Sequence, residues 1–259
     1  MLGGKSLEDP KKFCWNTLIC FISVLSATAI AFYVGLVLAR FNPILLPLIL
    51  TLAVYPGFAY QVYKGKLWTA SLLVFSWAIL ASLLMIHYAY SNGLEGAGLV
   101  AKGADYVKEM FSWIATGKGA EGDPSLFIVP KIIEIVVFSM ASFLTVGFAG
   151  LFMGAYLLDY MNFYVGILLL HAMPGHFLEV ALLSWQIYAI LRVVGYVLLG
   201  TSLSRISFLF FKKRKLIIED DVKKMLLYSL AFIALDFLLK GVVANAFYQP
   251  MLKLYISLP

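Results

Sequence analysis

Three charged residues, Arg192, Asp236 and Lys240, stand inside long apolar runs. An ionised side chain at bilayer depth costs about 3 kcal/mol even on the mildest insertion scales, so it is paired or has work to do. Asp236 and Lys240 are four residues apart and share a helical face. Arg192 belongs to a different apolar run, at a depth where it can meet them. The expectation is an intramembrane polar network in which Asp236 faces Arg192 with Lys240 nearby. Such a network either locks helices together or couples a proton or ion to movement of a solute. The cost of leaving charge unpaired in lipid favours the lock.

The histidines are His87, His171 and His176, and Glu179 follows His176 by three residues, on the same helical face. Two histidines and a carboxylate can hold zinc with an open position. The spacing is not the His-Glu-x-x-His of zinc proteases, so no metal and no cofactor are assigned. His171, His176, Glu179 and His87 are read instead as an outer polar cluster. There is no Gly-x-Ser-x-Gly, and Cys14 and Cys20, six apart, lack metal or redox spacing. They are read as small membrane-facing residues, and no catalytic residue is assigned.

The elements that must carry these groups follow from composition. The chain has 259 residues, 62% hydrophobic and only 13% charged, with a mean hydropathy of +0.91. Soluble domains run near 45–50% apolar and about 25% charged. The fold class is therefore all-α, a polytopic transmembrane helical bundle forming one integral membrane domain. A spanning helix needs about 20 apolar residues, which places spans at 14–39, 44–63, 67–88 and 126–158. A short stretch at 161–173 ends at a break at Pro174-Gly175, and longer runs follow at 176–211 and 225–247. Pro47 and Pro56-Gly57 predict a kinked or broken second span. The count is about seven.

Positive charge sets the orientation. With the N-terminus cytoplasmic, that side collects Lys5, Lys11, Lys12, Lys64, Lys66, Arg205, Lys212 to Lys215, Lys223 and Lys224. The C-terminus is then outside the cell membrane. A six-span version with 161–173 re-entrant would put the Lys212-Lys213-Arg214-Lys215 cluster outside, against the rule. Residues 91–125 form an outer loop in which Tyr106, Val107, Met110, Phe111 and Ile114 share one face. That amphipathic segment either lies flat among headgroups as an interfacial helix or caps the outer ends of the bundle. Gly147, Gly150 and Gly154 form a helix-packing ridge, for internal contacts or a homodimer.

The second half carries a resemblance. Phe148-Ala149-Gly150-Leu151-Phe152-Met153-Gly154, Pro174-Gly175-His176-Phe177-Leu178-Glu179 and Val243-Ala244-Asn245-Ala246-Phe247-Tyr248-Gln249-Pro250 are similar, in order and spacing, to motifs of the stage II sporulation protein M family. The resemblance covers roughly residues 131–259. Glycine and histidine are exchanged in the second motif; Asn245 and Gln249 replace a glutamate and a threonine in the third. It implies a helical membrane protein without established chemistry, and a polar cluster in which His176 and Glu179 are joined by Asn245.

Three functions stay open. A non-enzymatic membrane scaffold or assembly factor ranks first, on the absent catalytic motifs and the resemblance. A small-solute or ion transporter using Arg192, Asp236 and Lys240 is second, and an intramembrane metal enzyme third. The expected partners are the lipid bilayer and a protein partner or second copy of the chain. The basic residues read as topology and lipid contacts, not as a nucleic-acid surface.

Overall fold

The structure, a computed structural model, describes residues 17–258; Lys5, Lys11, Lys12 and Cys14 lie outside them. The described residues build helices α1 (Thr17–Ala39), α2 (Leu45–Tyr63), α3 (Leu67–Asn92), α4 (Gly103–Thr116), α5 (Pro124–Leu144), α6 (Phe148–Leu170), α7 (Phe177–Ser184), α8 (Ile187–Lys213), α9 (Asp220–Val243) and α10 (Gln249–Tyr255). Seven stretches among them are long and apolar enough to cross a membrane, with α7–α8 and α9–α10 each counting once. The chain is a multi-pass membrane protein.

Two groups of side-chain contacts fix which helix ends lie together. At one end, Arg205 donates to the Val62 and Tyr63 carbonyls and to both oxygens of Glu219, where the chain enters α9. Since Lys64, Lys66 and Lys212 to Lys215 flank the same helix ends, this is the basic end. At the other, the loop end, Gln249 Nε2 donates to the Ile114 carbonyl and Lys253 Nζ to that of Ala115. Ala172 and Ile256 form an antiparallel bridge there.

The main departure from hydropathy lies between α5 and α6. The apolar run from 126 onward is not one span ending near Leu158 but two, turning at Thr145-Val146-Gly147. Val146 (φ 52°) and Gly147 (φ 90°) both take the left-handed region, which a β-branched residue enters only with strain. Thr145 closes the turn: its hydroxyl donates to the Ala141 carbonyl and accepts from the Ala149 N–H. Backbone bonds complete the closure, from the Gly147 N–H to the Ser142 carbonyl and from the Phe148 N–H to that of Thr145, so no polar side chain beyond one threonine is needed. Gly147 therefore sits at a turn rather than within a helix. The helix does end before Pro174-Gly175, but there it links two complete spans instead of breaking one. The interruptions within spans are at Trp185-Gln186 and at a π turn, Ala244–Tyr248. The second span runs through Pro56 unbroken.

The amphipathic helix α4 takes the capping position of the two expected for it. Val107, Met110, Phe111, Trp113 and Ile114 are buried, and Phe111 meets the rings of Tyr164 and His171 edge-on. Cys20 is buried and is not a free thiol, so it does not face the membrane as expected.

Candidate functional site

Arg192 and Asp236 meet in the bundle. Nε donates to Oδ2 at 2.9 Å and Nη2 to Oδ1 at 3.0 Å, a parallel two-point pairing that fixes orientation as well as charge. Both residues are buried. At 1.5 Å per residue, Arg192 lies roughly 8 Å from the start of α8 and Asp236 roughly 10 Å from the end of α9.

Lys240 does not join that pair directly. Its Nζ donates to Glu121 Oε2 at 3.0 Å, and Glu121 Oε1 accepts from the Tyr188 hydroxyl at 2.9 Å. The ammonium also stands 4.7 Å from the centre of the Phe127 ring. Glu121 comes from the loop before α5 and drops its carboxylate into the bundle. Burial alone would push that carboxyl up; Lys240 and Arg192, with the hydrogen bonds from Lys240 and Tyr188, outweigh burial and hold it below the ordinary glutamate value.

Asn245 positions this loop. Its amide donates to the Gly117 and Gly122 carbonyls at 3.1 and 3.2 Å, and its oxygen accepts from Trp113 Nε1 at 2.7 Å. Asn245 is therefore engaged with α4 and the loop, rather than with His176 and Glu179. Those two approach only to 3.6 Å, beyond hydrogen-bond reach, and His176 stacks on Tyr255. His171 Nδ1 lies 3.1 Å from the Ser257 carbonyl. His87 lines a separate small pocket with Tyr33 and Asn92. Of the expected outer cluster, His176 and Glu179 stand within ion-pair distance, while Asn245 and His87 lie elsewhere. No three His, Cys, Asp or Glu side chains among the described residues could hold a metal.

A third ion pair was not foreseen. Lys131 Nζ meets both oxygens of Glu134 on α5 at 2.8 and 2.7 Å, and Glu134 also accepts from the Tyr196 hydroxyl at 2.8 Å. Lys131, Glu134 and Arg192 line one end of a crevice between α5, α6 and α8, lined also by Phe58 and Trp77, with a cavity volume of about 80 Å³ and partly open to the surroundings. Its walls are otherwise almost wholly apolar. The glycine ridge lines this crevice, and two of its three residues are packed against other helices. A Cβ at Gly150 would collide with Ser142, and one at Gly147 with Ser204 and Phe58.

One face of α8 runs the length of the crevice: Arg192, Tyr196, Gly200 and Ser204, each four residues from the last. Ser207, one turn further, is buried with its hydroxyl unpartnered among the described residues. Asp159 is a further missed group. It is the twelfth residue of α6, 4% exposed, and its Oδ2 has no hydrogen-bond partner among the described residues. Misplacing the turn put it in a loop.

No protein-family model matches the chain, and no curated protein or solved structure is similar enough to match it. The fold and the site define a multi-pass helical membrane protein with a crevice lined at one end by Lys131, Glu134 and Arg192.

Proposed function

We propose that this protein is a membrane carrier that binds a small amphiphilic molecule in the crevice and moves it across the bilayer. The observation that carries the reading is the face of α8 from Arg192 to Ser204. It presents Arg192 and Tyr196 at the charged end and Ser204 toward the basic end, while the opposite walls suit an apolar body. In a bilayer, polar side chains facing a cavity mark solute pathways. The two-point Arg192–Asp236 pairing argues against that pair as an ion conduit and for a fixed polar terminus.

The scaffold reading needs an apolar face left free for a partner, and in its best candidate, the glycine ridge, Gly147 and Gly150 are occupied by the chain's own α5, α2 and α8. We further propose that the basic end is cytoplasmic, from the excess of lysine and arginine there. The likeness of residues 131–259 to the stage II sporulation protein M family is also a proposal, supported by motif order alone.

A leaflet-exchange assay tests the carrier reading. Vesicles holding a short-chain fluorescent amphiphile are treated with an impermeant reductant that bleaches only the outer leaflet. Vesicles with wild-type protein should lose the protected inner half at least tenfold faster than protein-free vesicles, and Gly154→Leu, which projects into the crevice, should abolish the gain. Equal rates with and without protein sink the reading.

A further inference from the structure

Inside the spans, Glu134 and Asp236 each face a cation at salt-bridge distance. Asp159 does not. It is the middle residue of α6, roughly 16 Å from either end at 1.5 Å per residue. It is buried, no ion pair includes it, and its Oδ2 makes no hydrogen bond among the described residues.

Its direction follows from its neighbours on the same helical face. Asn162, three residues on, donates from Nδ2 to Ser82 Oγ of α3 at 2.9 Å. Seven residues on, a Cβ at Gly166 would collide with Ala89 and the Ile86 carbonyl of α3. Asp159 therefore stands on the face of α6 that packs on α3. Ala155, one turn before it, and Ala78, one turn before Ser82, bring no polar group. The helices packed on α6 carry titratable groups, among them Tyr55 on α2, His87 and Tyr88 on α3, Tyr106 on α4, Lys131 and Glu134 on α5, and Glu179 on α7. None of these acts on the Asp159 carboxyl, which feels burial alone.

An acid at this depth can pair with a cation, bond two helices or carry a proton. Asp159 makes no pair and no side-chain bond. A carboxylate without a counter-charge in apolar surroundings is prohibitive, so the group is held as the neutral acid. Left without a partner, that acid still costs stability in this conformation. The cost falls away in a conformation that supplies a donor, and the Ser82 hydroxyl lies about one turn further along α3.

We infer that Asp159 is a proton-binding site, occupied in this conformation and emptied when α6 shifts along α3 and brings the carboxyl to Ser82. In that step the carboxyl O–H bond breaks, the proton passes to water admitted by the shift, and the carboxylate accepts from the Ser82 hydroxyl. Leu157 and Met161, each two residues from Asp159 and so on the opposite face, line the crevice. The same shift moves the crevice wall. What the proton drives therefore rests on the carrier reading, to which this site supplies the coupling ion.

Infrared spectra of wild-type protein minus Asp159→Asn isolate this carboxyl, in ether-linked lipid that has no ester carbonyl. At neutral pH the difference should show the carbonyl stretch of a carboxylic acid free of hydrogen bonds. The band should give way to carboxylate bands as pH rises, and Asp159→Glu should keep this behaviour. A carboxylate at neutral pH, or an acid band unchanged up to the alkaline limit of folding, overturns the site. A disulfide between Ser82→Cys and Asn162→Cys ties α3 to α6 and should hold the acid band at every pH until it is reduced, with wild-type protein in the same reductant as control. Titration in the tied protein overturns the shift.

In the leaflet-exchange assay, a pH gradient across the vesicle should change the wild-type rate about fivefold or more and leave that of Asp159→Asn unchanged. Wild-type exchange indifferent to the gradient removes the coupling. A titrating band without exchange would leave the proton site and remove the carrier, and exchange without an acid band would do the reverse.

Discussion

The helices α8 and α9 are joined by arginine–carboxylate contacts at two levels, alike in chemistry and opposite in setting. Arg192 and Asp236 are buried, with side chains 9% and 3% exposed. Arg205 and Glu219 pair with the same two-point geometry near the basic end, but the Glu219 side chain is 40% exposed. In the first pair each charge depends on the other, since neither has water to fall back on. In the second, Glu219 keeps its hydration, and Arg205 keeps the Val62 and Tyr63 carbonyls. The same motif is indispensable at one depth and replaceable at the other.

Breaking the buried pair should have the largest effect. Asp236→Ala strands the guanidinium and should cost about 3–5 kcal/mol, read as earlier unfolding in mixed micelles titrated with dodecyl sulfate. Replacing both partners, Arg192→Met with Asp236→Leu, should recover most of that loss. If the double variant is as unstable as the single, the difference lies in packing and not in charge.

Glu121 stands between the two cases, a loop residue carried into the bundle. Glu121→Gln should cost about 2 kcal/mol by leaving Lys240 without its anion. Because the folded carboxyl lies below its ordinary value near 4.3, its contribution is complete above that value and is lost as pH falls through the folded one. Wild-type protein should therefore lose stability on acidification below about pH 4, and the variant should show a flatter acid limb. Parallel acid limbs would remove Glu121 from the account.

The smallest effect belongs to Glu219→Gln, at about 0.5 kcal/mol, within the range of exposed pairs. The hydrogen bonds from Arg205, with its charge, outweigh partial burial and hold the Glu219 carboxyl low. Added salt should shrink this difference while leaving that of Asp236→Ala unchanged. A loss at Glu219 equal to that at Asp236 would erase the contrast.

The first three spans were legible because charged or Pro-containing connections, Arg40 to Pro43 and Lys64 to Lys66, interrupt the apolar runs. The α5–α6 turn was not, because Thr145-Val146-Gly147 is as apolar as a helix and closes on its own hydrogen bonds. That one omission moved Asp159 into a loop and made 161–173 look too short. Arg192 and Asp236 could be nominated from the cost of charge in lipid. Glu121 could not, since an acid in a glycine-rich loop has no periodicity to betray its direction, and its partner lies 119 residues away. Asn245 was singled out through the resemblance, but its neighbours are set by the π turn.

The Arg205 contact with the end of α2 also bears on how the chain is made. The Val62 carbonyl waits for a donor 143 residues later, and the α4 carbonyls of Ile114 and Ala115 wait 135 and 138 residues for Gln249 and Lys253. At roughly 5–20 residues per second, each interval is on the order of ten seconds of ribosome time. The early hairpins therefore enter the membrane with open ends that later segments close. Emergence of the segment that carries Gln249 and Lys253, rather than insertion of any one helix, is the moment at which both ends of the bundle can be sealed.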